Sequence, residues 1–192
     1  MHQGEGLGLL PVENQSFSGT DVVHAPKWGP GTRLNATLMV PELQATDRMG
    51  AIKELVDRFY QTGGVSDSLR FLQSVLDRED LESTVVDRGV AFPHARCRSV
   101  AGFGVAFGIS QRGVDFYSDI YPEPVHLICM LAVPMVGAVK HLALLGHLAG
   151  LFQQEDFQFG LRACHTAGDM HDFLVKGILE YQAKRLSVAS HI

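Results

Sequence analysis

The chain has 192 residues, 46% of them hydrophobic and 19% charged, and a formal net charge of −5. This composition suits one globular domain with a sizeable core and room for an appended tail, and the acidic balance argues against nucleic acid as the main partner. Three cysteines, Cys97, Cys129 and Cys164, without a CxxC spacing fit reduced thiols in the cytoplasm rather than a disulfide framework. The first residues lack a basic region followed by a sustained apolar core, so no signal peptide is expected. The longest mostly apolar run, Val125 to Val139, contains His126 and Pro134 and is too short to cross a bilayer. A cytoplasmic protein without direct membrane insertion is expected.

Residues 1–35 are rich in Gly, Pro, Ser and Asn and have no apolar period, with turn chemistry at Trp28-Gly29-Pro30-Gly31. They read as a flexible N-terminal extension. Thr37 to Val40 is a short apolar stretch, suited to an edge strand or a turn. Thr46 or Asp47 can cap the helix that follows, whose Ile52, Leu55, Val56 and Phe59 share a face. Gly63-Gly64 ends it. A second helix is expected to bury Val65, Leu69, Leu72 and Leu76, with Arg78 near its C-terminus. There a cation complements the helix dipole by about 0.3–1 kcal/mol.

Three strands are expected next, at Thr84 to Phe92, Phe103 to Ile109 and Val125 to Val133. In the second, Phe103, Val105, Phe107 and Ile109 alternate with Gly104, Ala106 and Gly108, a small-residue face that admits close packing. The third is almost wholly apolar, as in a strand covered on both sides. Pro134 and Gly137 precede a helix from about Ala138 to Phe152, with His141 in its first turn. A short helix follows around Asp156 to Ala163. Thr166-Ala167-Gly168-Asp169, resembling a capping box with Asp in place of Glu, then starts a last helix through Met170, Leu174, Ile178 and Tyr181. Residues 186–192 are expected to be a frayed tail. Strands interleaved with helices indicate an α/β fold, a mixed sheet of about five strands sandwiched by helices on both faces.

The stretch around which the chain is organised is Arg88-Gly89-Val90-Ala91-Phe92-Pro93-His94-Ala95-Arg96. Val90 and Phe92 alternate with Ala91, as in a strand, and Pro93 has no N–H to continue a ladder. His94 is therefore expected just past a strand end, on a backbone stiffened by proline, with Arg96 two residues on.

Gly89-Val90-Ala91-Phe92-Pro93-His94-Ala95-Arg96 resembles the phosphorylation-site motif of the fructose/mannitol/nitrogen-type enzyme IIA domains of the bacterial phosphotransferase system. Asp77-Arg78-Glu79-Asp80-Leu81-Glu82-Ser83-Thr84 resembles the "RE…ST" segment of that family. His141-Leu142 opens the helix where the family carries its second active-site histidine. The likeness runs from about Thr37 to about Tyr181, implying an enzyme IIA type-2 domain over residues 36–185. It implies that a phosphorylated histidine phosphocarrier protein donates to His94. The group then passes to a cysteine of a IIB domain, or the phosphorylation state is read by a regulatory target protein. His141 would orient or stabilise the phosphoryl group, Arg78 would stabilise charge, and Arg96 and Thr84 would bind.

Such transfer needs few parts. The acceptor must be a neutral imidazole, because a protonated ring has no lone pair. Catalysis is mainly positioning, with cations and N–H donors around the equatorial oxygens. A helix first turn at Gly137 to His141 supplies such donors, and Arg78 or Arg96 adds charge. No cofactor is required. A metal site is not expected: His141/His147 and His165/His171 are pairs six apart, about 240° around a helix, and so do not share a face. No GxSxG or paired-carboxylate pattern points to a hydrolase. The chain departs from the family at Thr84-Val85-Val86-Asp87-Arg88-Gly89, where relatives carry more glycine, and in the apolar loop Pro134 to Lys140. A degenerate regulatory binding module without phosphotransfer is the rival expectation.

Overall fold

The computed structural model describes residues 34–86, 89–136 and 139–189, with the backbone alone for 139–144 and 185–189. The expected extension over 1–35 thus lies outside the described residues, apart from Leu34 and Asn35. Asn35 caps a 3-10 turn at Ala36–Leu38, its side chain accepting from the Thr37 N–H at 3.0 Å. Strand β1 follows at Met39–Val40. Asp47 caps helix α1, Arg48–Gln61, by accepting from the Gly50 N–H at 2.9 Å. Ile52, Leu55, Val56 and Phe59 are buried, the face expected from the sequence.

Asp67 caps α2, Ser68–Leu81. Its buried stripe differs from expectation. Val65 precedes the helix, Leu69 is exposed, and the inward line is Phe71, Val75 and Glu79, flanked by Leu72 and Leu76. The aromatic decides the rotation, since Phe71 packs edge-on against Phe59 with ring centroids 5.9 Å apart. A charged third member concealed the stripe.

The expected strand from Thr84 to Phe92 is instead a tight antiparallel pair, β2 at Val85–Val86 and β3 at Val90–Ala91. Strands β4 at His94–Cys97, β5 at Gly104–Val114 and β6 at Val125–Pro134 follow. The remaining helices are α3 at Val139–Phe152, α4 at Glu155–Arg162 and α5 at Ala167–Ala189. Thr166 opens α5, its Oγ1 accepting from the Asp169 N–H and donating to the Asp169 carboxylate. The helix continues to Ala189, past the start of the expected tail; residues 190–192 lie outside the description.

The sheet is mixed. Its order is β1-β5-β6-β3-β2, with β4 also paired to β6. β1 runs parallel to β5, β5 antiparallel to β6, and both β3 and β4 parallel to β6. The α/β sandwich expected from the sequence is present. One face, with Ala91, Ala95, Ala106 and Met130, packs under α1 and α2. The other, with Val90, Phe92, Val105, Phe107 and Leu131, packs under α3, α4 and α5. The small-residue face of β5 does what its spacing suggests. A Cβ on Gly104 would stand 2.8 Å from the Phe59 ring, and one on Gly108 2.7 Å from Leu43. Gly89, just before β3, has φ +70° and lies so close to Pro124 that a Cβ would meet its carbonyl at 2.8 Å.

Candidate active site

The register of β6 positions His94. Val90 pairs with Leu127, Ala91 with Ile128, and after Pro93 the same offset resumes with His94 opposite Leu131 and Arg96 opposite Val133. His94 therefore lies past the end of β3, as expected, and is also the first residue of β4. Pro93 withholds one ladder donor, but its carbonyl still accepts from the Leu131 N–H at 2.9 Å, which keeps the register. Six strands consequently occupy five positions. Residues alternate across a sheet, so Val90, Phe92, His94 and Arg96 share the face covered by α3 to α5, and Ala95 and Cys97 point to α2.

The His94 ring is half-buried, with Nδ1 2.9 Å from the Phe92 carbonyl oxygen. A carbonyl can only accept, so Nδ1 carries the hydrogen of this bond and the lone pair of the neutral ring lies on Nε2. Nε2 makes no hydrogen bond among the described residues. Arg96 is exposed on the same side of the strand and has no hydrogen bond or ion pair among them either.

The loop from α2 into β2 flanks this strand. Continued beyond Val85↔Ala91, the β2–β3 register sets Thr84 opposite Phe92, where the Phe92 N–H donates to the Thr84 carbonyl at 3.1 Å. Arg78 folds back onto this loop, its Nη1 donating to the Glu82 carbonyl at 2.8 Å. Its guanidinium thereby satisfies a carbonyl just past the helix end. Thr84 is buried, its hydroxyl and N–H both turned to the Glu79 carboxylate at 2.6 and 2.7 Å. Its link to the site runs through its backbone. Glu79, which the sequence reading did not single out, also accepts from the Ser83 hydroxyl at 3.2 Å. The available signal was an acidic residue on an apolar stripe, followed within a turn and a half by two hydroxyl side chains.

His141 lies in the first turn of α3; its side chain is outside the described residues. At the other end of this helix, Phe152 packs edge-on to Phe92 and stacks on Phe107, with centroids 5.7 and 5.9 Å apart. The helix thus covers the sheet face that carries His94. Met135 and Val136, between β6 and α3, are exposed. Other candidate groups are accounted for structurally. The His126 Nδ1 bonds the Ser110 carbonyl at 2.8 Å. Burial pushes the Cys97 thiol up, but hydrogen bonds from Ser99 and Ser74 and the charge of Arg70 hold it below its usual range. Burial alone pushes Cys129 well up. Among the described residues no three His, Cys, Asp or Glu side chains cluster as metal ligands, and no helix is long and apolar enough to cross a membrane.

Fold and site together define a mixed α/β sandwich that presents one half-buried imidazole at the start of an interrupted strand. The profile of the family described as "Phosphoenolpyruvate-dependent sugar phosphotransferase system, EIIA 2" matches residues 33–177. The chain belongs to this EIIA type-2 family. It is 32% identical to the fructose-specific EIIA component of Haloferax volcanii over 66% of this chain and 82% of that one. It is 31% identical to the fructose-specific EIIABC component of Bacillus subtilis over 60% of this chain, and spans only 18% of that relative's length. Among solved structures it resembles the nitrogen regulatory protein IIA-Ntr of Neisseria meningitidis, with a TM-score of 0.67, 26% identity, and coverage of 73% and 94% of the two chains.

Proposed function

We propose that this chain is a phosphohistidine carrier, accepting a phosphoryl group on His94 from a histidine phosphocarrier protein and passing it to a IIB domain. The observation that carries this reading is the bond from His94 Nδ1–H to the Phe92 carbonyl, which leaves Nε2 as the nucleophile. In the transfer, the P–N bond to the donor's imidazole breaks as the bond from phosphorus to Nε2 forms. The Nδ1 proton stays in place, and the ring gains positive character that the Phe92 carbonyl stabilises. Arg78 in the last turn of α2 and Arg96, on the same face as His94, supply positive charge for the phosphoryl oxygens, with the backbone N–H groups of the first turn of α3. The role read for His141 is to orient that group from the same turn. Thr84 contributes through its backbone.

The IIB partner is supported by likeness in fold to enzyme IIA mannitol of Escherichia coli, which has been solved in complex with phosphorylated enzyme IIB mannitol. A regulatory use of the same phosphorylation is supported by the nitrogen regulatory protein of Bradyrhizobium diazoefficiens, 29% identical over 71% of this chain and 88% of that one. Both uses share one chemistry.

Incubation with enzyme I, phosphoenolpyruvate and a histidine phosphocarrier tests it. The chain is expected to gain one phosphoryl group, labile in acid and stable in base, as a P–N bond is. No gain with either a sugar-type or a nitrogen-type phosphocarrier would favour the rival, a binding module that has kept the fold without the transfer.

A further inference from the structure

The buried carboxylate of Glu79 has no part in the transfer chemistry described above, yet it is linked to His94 by an unbroken set of hydrogen bonds. Glu79 is 2% exposed and lies in the last turn of α2. A carboxylate buried to that degree is costly unless it is well bonded. Three donors meet it, all from the two residues that lead into β2: the Ser83 hydroxyl, the Thr84 N–H and the Thr84 hydroxyl. The Thr84 carbonyl accepts the Phe92 N–H at 3.1 Å. The Phe92 carbonyl in turn accepts His94 Nδ1–H at 2.9 Å.

Strand geometry explains why this path matters. In an extended residue the N–H and C=O point to the same side, so Pro93 turns its carbonyl to β6 and Phe92 turns both its groups to the β2 edge. The sheet therefore does not fix the Phe92 carbonyl from the β6 side. What holds Phe92 at the edge is Thr84, which takes the N–H of the peptide just before that carbonyl, and what holds Thr84 is Glu79. We propose that Glu79 is a positioning residue for the phosphoryl acceptor: through Thr84 and Phe92 it sets the carbonyl that keeps His94 in the Nδ1–H tautomer. This rests on the reading of His94 as the acceptor, but its first consequence, the tautomer, exists without any transfer.

The test compares full-length wild type with Glu79→Gln, Thr84→Val and Thr84→Ser. Two-bond 1H–15N correlation spectra of the neutral His94 ring report the tautomer, and labelling by a phosphorylated histidine phosphocarrier reports the rate. Glu79→Gln puts an amide donor where an acceptor stood, and Thr84→Val removes one donor while leaving the backbone bond. Both are expected to raise the Nε2–H population of His94 and to slow labelling, Glu79→Gln by about 10–10² fold, the scale of a small misplacement of a reacting group. Thr84→Ser, which keeps both donors to Glu79, is expected to rescue Thr84→Val, lowering the Nε2–H population of His94 and raising the labelling rate relative to that variant. If Glu79→Gln does not fold, Thr84→Val set against Thr84→Ser decides. Folded variants with the wild-type tautomer and rate would overturn the proposal and leave Glu79 as a loop brace only. A wild type that takes no phosphoryl group would sink the carrier reading instead, and the tautomer comparison would still decide the role of Glu79.

Discussion

Replacement of His94 by alanine is expected to give a folded protein that takes no phosphoryl group. The loss of labelling is expected to be complete because His94 stands near the C-terminal end of β6, from which the chain enters α3; His126 has a like arrangement, a half-buried ring with Nδ1 held by a carbonyl and no hydrogen bond at Nε2 among the described residues, but not that place. His126 is held by Ser110 at the opposite end of β6, and Cys97, though its thiol lies below the usual range, is buried on the other face of the sheet. The cost to stability is small. The ring contributes one hydrogen bond, a net of about 0.5–1.5 kcal/mol. In a domain of this size about 1 kcal/mol corresponds to roughly 2–4 °C in Tm. Intact-mass measurement after incubation with the phosphocarrier, beside a thermal melt, checks both parts. Labelling that persists in His94→Ala would show that another nucleophile carries the group.

The second large effect is expected at the first turn of α3. His141→Ala should slow labelling by about 10²–10³ fold, the usual effect of removing one preorganised donor, and leave the final stoichiometry at one group per chain. With His94 as the proposed acceptor, rate is expected to fall and capacity not. The helix backbone remains to hold the phosphoryl oxygens, which is why transfer is slowed rather than abolished. Stopped reactions followed by intact mass separate the two quantities. Wild-type kinetics in His141→Ala would leave His141 as a core residue with no part in the transfer.

Much of this architecture is legible in the sequence because local rules and tertiary packing agree. Asp47 is followed by an apolar stripe and caps it; Gly104 and Gly108 alternate with large residues and are indeed overlain by Phe59 and Leu43. Four features were not legible, each for a physical reason. A proline ends a ladder only if the lost donor also loses the register. The Pro93 carbonyl and the unchanged partner strand keep it, so His94, past the end of β3, also opens a further strand on the same partner. The face of α2 was misjudged because its inward line ends in a charge, and a carboxylate is ordinarily assigned to solvent. It is inside because Ser83 and Thr84 meet it there. Thr84 itself lies in the expected block, yet its hydroxyl is turned to Glu79, a pairing that spacing alone does not distinguish from a hydroxyl turned to a ligand. Arg78 shows the same ambiguity. Its bond to the Glu82 carbonyl is what any helix-terminal arginine can make, and spacing alone does not separate that use from one toward a ligand.

The central claim is that His94 accepts through Nε2 because Phe92 occupies Nδ1, and the position of the new P–N bond tests it most directly. Protein labelled with 15N in its histidines, phosphorylated by the phosphocarrier and studied by 31P and 15N NMR, reports which nitrogen is bonded to phosphorus. The account predicts a single phosphohistidine at His94, with phosphorus on Nε2 and the proton retained on Nδ1. Phosphorus on Nδ1 of His94, or on any other residue, would contradict it.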